Sequence, residues 1–219
     1  MKNRKQLLAG AALLIAFTVW TVLIQSIDVQ PVGVNGTAVG FAAVNTWFHQ
    51  LTGVHMTVYT VTDWLGLVPI GICGIFGIVG LGQMIKRKNI LKVDADILLL
   101  GIYYLVVIAA YLVFEMIPVN YRPVLLNGFM EASYPSSTTL LVLCVMPSLK
   151  FQMDRRCRNA ALRNTVNTLA AAFSAFMVIG RLISGVHWCT DIIGSVLLGT
   201  GLYQLYQFSV GFAEQRRSY

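Results

Sequence analysis

Apolar residues recur along this chain in runs long enough to cross a bilayer, roughly 20 residues each. They occupy 7–27, 64–85, 97–117, 166–186 and 192–212. A shorter run at 138–149 follows "YPSSTT" and contains Pro147. A helix that starts at Ser136 below the membrane surface and continues past Pro147 toward Met153 makes it a sixth span. Between the first two runs, "DVQPVGVNG" supplies turn formers. Phe41, Val44, Phe48 and Leu51 then follow at helical spacing and predict a short helix lying on the membrane, with Trp47 at headgroup level. Gly71, Gly74, Gly77 and Gly80 in the second run predict close approach by a neighbouring helix.

Composition agrees with the pattern. Hydrophobic residues are 57% of the 219 and charged residues 11%, against about a quarter charged in soluble domains. The first run follows Lys2, Arg4 and Lys5, but no small-residue cleavage site follows it, which predicts a retained anchor. Fourteen of the 16 Lys and Arg residues flank the runs on one side, and only Arg122 and Arg181 fall on the other. The positive-inside rule then places both termini in the cytoplasm and these two arginines outside. The net charge of +7 is accounted for by topology and calls for no nucleic-acid partner. Cys73, Cys144, Cys157 and Cys189 fall at separated depths, so all four are expected to be unpaired. The expected fold is an all-α bundle of six transmembrane helices in a single domain over residues 1–219, multi-pass in the cell membrane.

Ionisable side chains at membrane depth are costly and mark functional sites or buried pairs. Arg181, His187 and Asp191 stand at spacings of six and four near the outer ends of the last two runs. If the last helix begins near Val186, His187 and Asp191 share a face, and the carboxylate can hold one imidazole nitrogen while the other points outward. Arg181 and Arg122 match phosphate oxygens with their guanidinium forks. Pro135 followed by Ser136, Ser137 and Thr138 reads as a helix start, whose free amides and dipole favour an anion. The alternatives are helix capping by Asp191 and Ser136 and interfacial anchoring by the arginines. His49 and His55 lack further ligands at metal spacing, and no metal or other cofactor is expected.

These residues resemble the type 2 phosphatidic acid phosphatases, the membrane branch of a superfamily shared with vanadium haloperoxidases. That family's signature is Lys, six residues, Arg-Pro; then Pro-Ser-Gly-His; then Ser-Arg, five residues, His, three residues, Asp. Arg181, His187 and Asp191 match the third part, with Gly180 in place of Ser; Arg122 and Pro123 match the first; Pro135 and Ser136 match the second. The resemblance implies that His187 attacks phosphorus to give a phosphohistidine, with Asp191 as its partner and Arg122 and Arg181 as a charge clamp. Ser136, Ser137 and Thr138 would complete the phosphate cradle.

Two positions depart from the family: Glu115 stands where the lysine belongs, and Thr138 where the second-part histidine belongs. That histidine is the family's general acid, and a threonine hydroxyl is too weak an acid to replace it. Glu115, desolvated in the pocket, is the expected substitute proton donor. A missing acid would favour lipid diphosphates, which expel a phosphate that needs little protonation. The expected function is a membrane lipid phosphatase, acting on a phosphatidate-like lipid or polyprenyl diphosphate at the extracytoplasmic face. The alternative is a catalytically weak relative that binds anionic lipid headgroups or has a transport or regulatory role.

Overall fold

The computed structural model describes residues 2–217, with Met1, Ser218 and Tyr219 and the side chains of Lys2 and Arg217 outside the description. Its elements are α1 (Lys2–Ser26), α2 (Ala42–Thr52), α3 (Met56–Leu65), α4 (Leu67–Arg87), α5 (Ala95–Met116), α6 (Ser137–Arg156), α7 (Ala160–Ile183) and α8 (Cys189–Arg217). No strand forms among the described residues, only isolated bridges such as Tyr121 with Ala132. Four stretches are long and apolar enough to cross a membrane: Asn3–Ser26, Met56–Arg87, Ala95–Met116 and Ala160–Ile183. The helices α6 and α8 are more polar and sit at the centre, where α6 buries Thr139, Ser148 and Gln152 beside Leu140, Val142 and Val145. Large apolar side chains instead point outward on the surrounding helices, as Ile15 and Val22 do on α1, Ile78 and Ile85 on α4, and Leu105 on α5. That distribution suits a lipid solvent.

The first and last helices run antiparallel along each other. Trp20 Nε1 donates to the Thr190 carbonyl (3.1 Å) at one end of the pair, and Gln6 Nε2 to Gln207 Oε1 (3.1 Å) toward the other. Between these bonds Gly10 abuts Leu205 and Gly201 abuts Leu14. Phe17, Phe114 and Tyr134 join α1, α5 and the 117–136 loop through ring contacts of 5.6–6.0 Å. The Tyr134 hydroxyl lies 2.7 Å from Thr21 Oγ1, a partner for its one polar atom in an apolar setting.

Ion pairs gather at the end of the bundle that holds both termini. Arg156 forks onto Asp96 (2.7 and 2.8 Å) and reaches Asp94 (3.1 Å), while Arg155 pairs with Asp96 (3.4 Å) and Glu214. Arg87 and Gln83 hold Asp94 from α4, at 2.8 and 2.9 Å. These bonds tie α4, α5, α6 and α8 together, and they offset the partial burial of Asp94 to hold its carboxyl below the usual range. The arrangement also places acids at the start of α5 and arginines at the end of α6, where each complements its helix dipole.

The short surface helix expected from Phe41 to Leu51 is present as α2, and α6 runs through Pro147 to Arg156. Two expectations need correction. The 64–85 run does not begin the span: α3 precedes α4 with only Gly66, in helical conformation, between them, and the apolar stretch reaches back to Met56. Three of the four glycines expected to admit a neighbouring helix do not. A side chain at Gly71, Gly74 or Gly77 would meet nothing within 4 Å, and only Gly80 is close-packed, 3.2 Å from Ile97. The two helices stand apart there and leave a cavity of about 400 Å³ lined by Gly77, Gly80 and Leu105.

Candidate active site

His187 sits in the tight link between α7 and α8, where Gly185 takes φ +70°. A Cβ on Gly185 would lie 2.0 Å from the Gly53 carbonyl oxygen, so only glycine lets the link pass under the α2–α3 connection. His55 N donates to Ser184 O (2.9 Å), and His49 Nε2 contacts Gly185 O (3.1 Å), which fixes that connection over the link. The two outer histidines thus have structural partners. Among the described residues no group of three or more His, Cys, Asp or Glu is arranged to hold a metal.

The imidazole of His187 is buried, at 3% exposure. Its Nδ1 lies 3.1 Å from the Ser133 carbonyl oxygen, which can only accept, so Nδ1 carries the hydrogen. Its Nε2 lies 3.3 Å from Arg122 Nη1, which can only donate, so Nε2 presents its lone pair. Burial pushes His187 down to about 4, with Arg122 and Arg181 adding to the shift and Asp191 opposing it. The ring is therefore a neutral base with its free nitrogen turned toward a cation.

Asp191 does not hold the ring in the way its spacing suggested. Its Oδ2 is 3.7 Å from Nδ1, farther than the Ser133 carbonyl. Instead Oδ2 accepts from the Trp188 amide (2.9 Å), reaching back over the first turn of α8 as an acid at the third position does in a capping box. Its Oδ1 accepts from Asn120 Nδ2 (3.3 Å). The carboxylate is fully buried, and it combines a capping role with a negative charge beside the imidazole.

The 117–136 loop brings in Arg122. Arg122 N donates to Glu131 O, Ser133 N donates to Asn120 O, and Trp188 Nε1 donates to Tyr121 O, at 2.8–3.1 Å. Arg122 Nε lies 3.2 Å from Glu131 Oε2, an ion pair whose N–H does not point at the oxygen. Arg181 reaches the same region from α7, 1% exposed, with its guanidinium 4.8 Å from the centre of the Tyr59 ring. Its Nη2 donates to Asp63 Oδ1 (2.8 Å) and to the Thr138 hydroxyl, while Nε and Nη1 are buried without a partner. Buried guanidinium donors left open in this way suit an incoming anion.

Ser136 is turned inward. Its hydroxyl donates to Thr139 Oγ1 (3.0 Å), its amide to Asp191 O (3.4 Å), and its carbonyl accepts from Ser195 (2.9 Å). It locks α6 to α8 and turns its hydroxyl away from the pocket. The first intrahelical bond of α6 is Leu140 N to Ser136 O, so Ser137, Thr138 and Thr139 hold the opening amides of that helix.

Two cavities meet here. A small one, about 10 Å³, is lined by His187, Ser133, Glu115, Tyr111, Ser137 and Leu140. A large apolar one, about 540 Å³, lies between α4, α5 and α6, with Asp63, Ser137 and Thr138 at its polar rim and Ile70, Val107 and Leu141 along its wall. Tyr111, Ser137 and Leu140 line both. Glu115 borders the first cavity but is exposed, not desolvated as expected from sequence.

The structure brings Arg122, Arg181, His187, Asp191, Ser137, Thr138 and Glu115 to one end of the bundle. It adds Asp63, Tyr59, Asn120, Glu131 and Ser133, which sequence reasoning did not select. Asp63 had a signal that went unused, an acid opening a long apolar run. Ser133 acts through its backbone, for which side-chain chemistry gives no sign.

Residues 112–210 match the family model described as the PAP2 superfamily. Over 94% of this chain and 96% of the other, the fold resembles a solved structure described as the first transmembrane PAP2 type phosphatidylglycerolphosphate phosphatase from Bacillus subtilis. The TM-score is 0.59 at 20% identity, a likeness of fold. No curated protein sequence matches the chain.

Proposed function

We propose that this chain, whose residues 112–210 match the PAP2 superfamily model, is an integral membrane phosphatase that hydrolyses a lipid phosphate or diphosphate through a phosphohistidine. The observation that carries the reading is the Nε2 lone pair of a buried, neutral His187 facing Arg122, where a small cavity that it lines meets a large apolar one. Phosphoryl transfer is mainly positioning and charge stabilisation. His187 attacks phosphorus, Asp191 steadies the imidazolium that forms, and Arg122 and Arg181 hold the phosphoryl oxygens. The amides and hydroxyls of Ser137 and Thr138 and the turn begun by Ser136 complete the cradle. The apolar cavity takes the lipid chain, and water then cleaves the phosphohistidine.

Six spans, α1 and α4 to α8, cross the cell membrane in this reading. Both termini are cytoplasmic and the site opens at the extracytoplasmic face. The support is the charge asymmetry: Lys86, Arg87, Lys150, Arg155 and Arg156 lie at helix ends remote from His187. A second reading, a weak relative that binds anionic headgroups, is favoured by the carboxylates of Glu131 and Asp63 already paired with Arg122 and Arg181.

Phosphate release by purified protein in detergent, wild type against His187→Ala, tests the two. Release from lipid phosphates that the substitution abolishes supports the enzyme. No release, with lipid phosphate still bound, supports the second reading.

A further inference from the structure

Asp63 belongs to α3, outside the segment that matches the family model, yet it reaches the centre of the site. What brings it there is the seat of α3 on α7. A Cβ at Gly180 would stand 2.7 Å from Thr62 Cγ2, so the glycine beside Arg181 makes room for the neighbour of Asp63. Asp63 then takes Arg181 Nη2 at 2.8 Å, and the same nitrogen touches the Thr138 hydroxyl. A carboxyl group thus stands across Arg181 Nη2 from the residue whose own hydroxyl is too weak an acid.

Its side of the site matters. His187 lines the small cavity and Asp63 the large apolar one, and Tyr111, Ser137 and Leu140 form their common border. Arg181, with two buried donors open, lies beside that border through Thr138. A phosphoryl group placed on these donors at the border of the two cavities would meet the imidazole from the small one. The lipid chain and Asp63 would then lie toward the large one, the side from which the leaving oxygen departs in an in-line displacement.

We propose that Asp63 is the group that protonates the lipid leaving oxygen. The inference rests on the phosphatase reading above. A phosphoryl dianion on the open Nε and Nη1 of Arg181 shares the guanidinium with Asp63, and the carboxyl takes up the proton it will deliver. Asp63 is 55% exposed, so water supplies that proton. His187 Nε2 then uses its lone pair to form the N–P bond. As the P–O bond to the lipid breaks, its electron pair takes the Asp63 proton and the lipid leaves as an alcohol. In the second step a water gives a proton to the Asp63 carboxylate and its oxygen attacks phosphorus. The N–P bond breaks, the lone pair returns to Nε2, and phosphate leaves.

Two substrates with one tail test it, because they differ in what the leaving group needs. Dodecyl phosphate expels an alkoxide that requires a proton, and dodecyl diphosphate expels dodecyl phosphate, which does not. Asp63→Asn keeps an acceptor for Arg181 and removes the acid. It is expected to slow release from dodecyl phosphate by about 10²- to 10⁴-fold and from the diphosphate by less than about tenfold. Asp63→Glu, an acid on a longer stem, is expected to recover part of the monophosphate turnover.

Equal losses on both substrates in a variant that melts like wild type overturn the assignment, and so does an unchanged monophosphate rate. Failure of Asp63→Glu to recover monophosphate turnover while it cleaves the diphosphate normally also overturns it. The selective loss appearing in Glu115→Gln instead, or wild-type turnover confined to the diphosphate, has the same force. Wild type that releases phosphate from neither substrate overturns the phosphatase reading itself and this inference with it.

Discussion

The Ser133 carbonyl oxygen lies 3.1 Å from Nδ1 of His187 and selects the tautomer of the ring. A carbonyl cannot donate, so the hydrogen stays on Nδ1 and the lone pair on Nε2, where Arg122 meets it. A loop backbone thus does for the imidazole what a carboxylate does in many hydrolases, and Asp191 is left free to cap α8.

Burial of this ring has a pH signature. The ordinary histidine value is near 6.5, and His187 is pushed down to about 4. Between those values the unfolded chain binds a proton that the folded chain does not, so stability falls as pH drops through this window. The loss totals about 3 kcal/mol by pH 4, with no contribution above pH 6.5. Thermal melts in detergent from pH 7 to pH 4 are expected to show this slope in wild type and a flatter one in His187→Gln.

Asp191 combines two roles that substitutions separate. Asp191→Ala leaves the Trp188 amide and Asn120 without an acceptor and is expected to cost about 1–3 kcal/mol of stability. Asp191→Asn keeps an oxygen for the cap but removes the charge beside the imidazole. It is expected to melt within a few degrees of wild type while turnover drops by about 10²- to 10⁴-fold. Comparing melting midpoint with kcat for the pair reads the two roles apart.

Glu131 competes with substrate for Arg122. Its side chain is 41% exposed and pairs with Arg122 Nε at 3.2 Å, so releasing the arginine costs little stability. Glu131→Gln is expected to tighten inhibition by inorganic phosphate by about three- to tenfold, a change of roughly 1 kcal/mol. An unchanged inhibition constant would show that this carboxylate does not limit anion access.

The ion-pair cluster at the far end is expected to serve stability. Asp96→Asn weakens the forked grip of Arg156 and leaves a partly buried cation under-paired. A cost of about 2 kcal/mol is expected, some 5 °C in melting midpoint for a chain of this size. kcat at a temperature well below that midpoint is expected to stay within about twofold of wild type.

The large apolar cavity predicts a dependence on chain length. Ile70 lines its wall, and Ile70→Trp fills part of the space. KM for a dodecyl substrate is expected to rise about tenfold, or roughly 1.4 kcal/mol, while a butyl substrate is little affected. Equal effects on both chain lengths would place the lipid elsewhere.

The helices were legible because apolar runs announce themselves, and Arg181, His187 and Asp191 because charge is conspicuous among them. Long-range geometry was less so. The spacing of His187 and Asp191 correctly put them near each other, but whether the carboxylate or a loop carbonyl meets Nδ1 is decided by how the 117–136 loop folds back. Glycine periodicity in α4 implied a packed face, yet the neighbouring helix stands off and the glycines border space. Asp63 is not legible as a site residue because its tie to Arg181 spans 118 residues and depends on the absence of a side chain at Gly180.

The pairing of the first helix with the last has a consequence for how the molecule comes to be competent. Trp20 on α1 holds the Thr190 carbonyl, one residue before Asp191, so the segment that finishes the reaction centre is clasped by the segment made first. Chains that end between His187 and Thr190 are expected to be inert from want of that clasp, though Arg122, Arg181 and His187 are all in place along them.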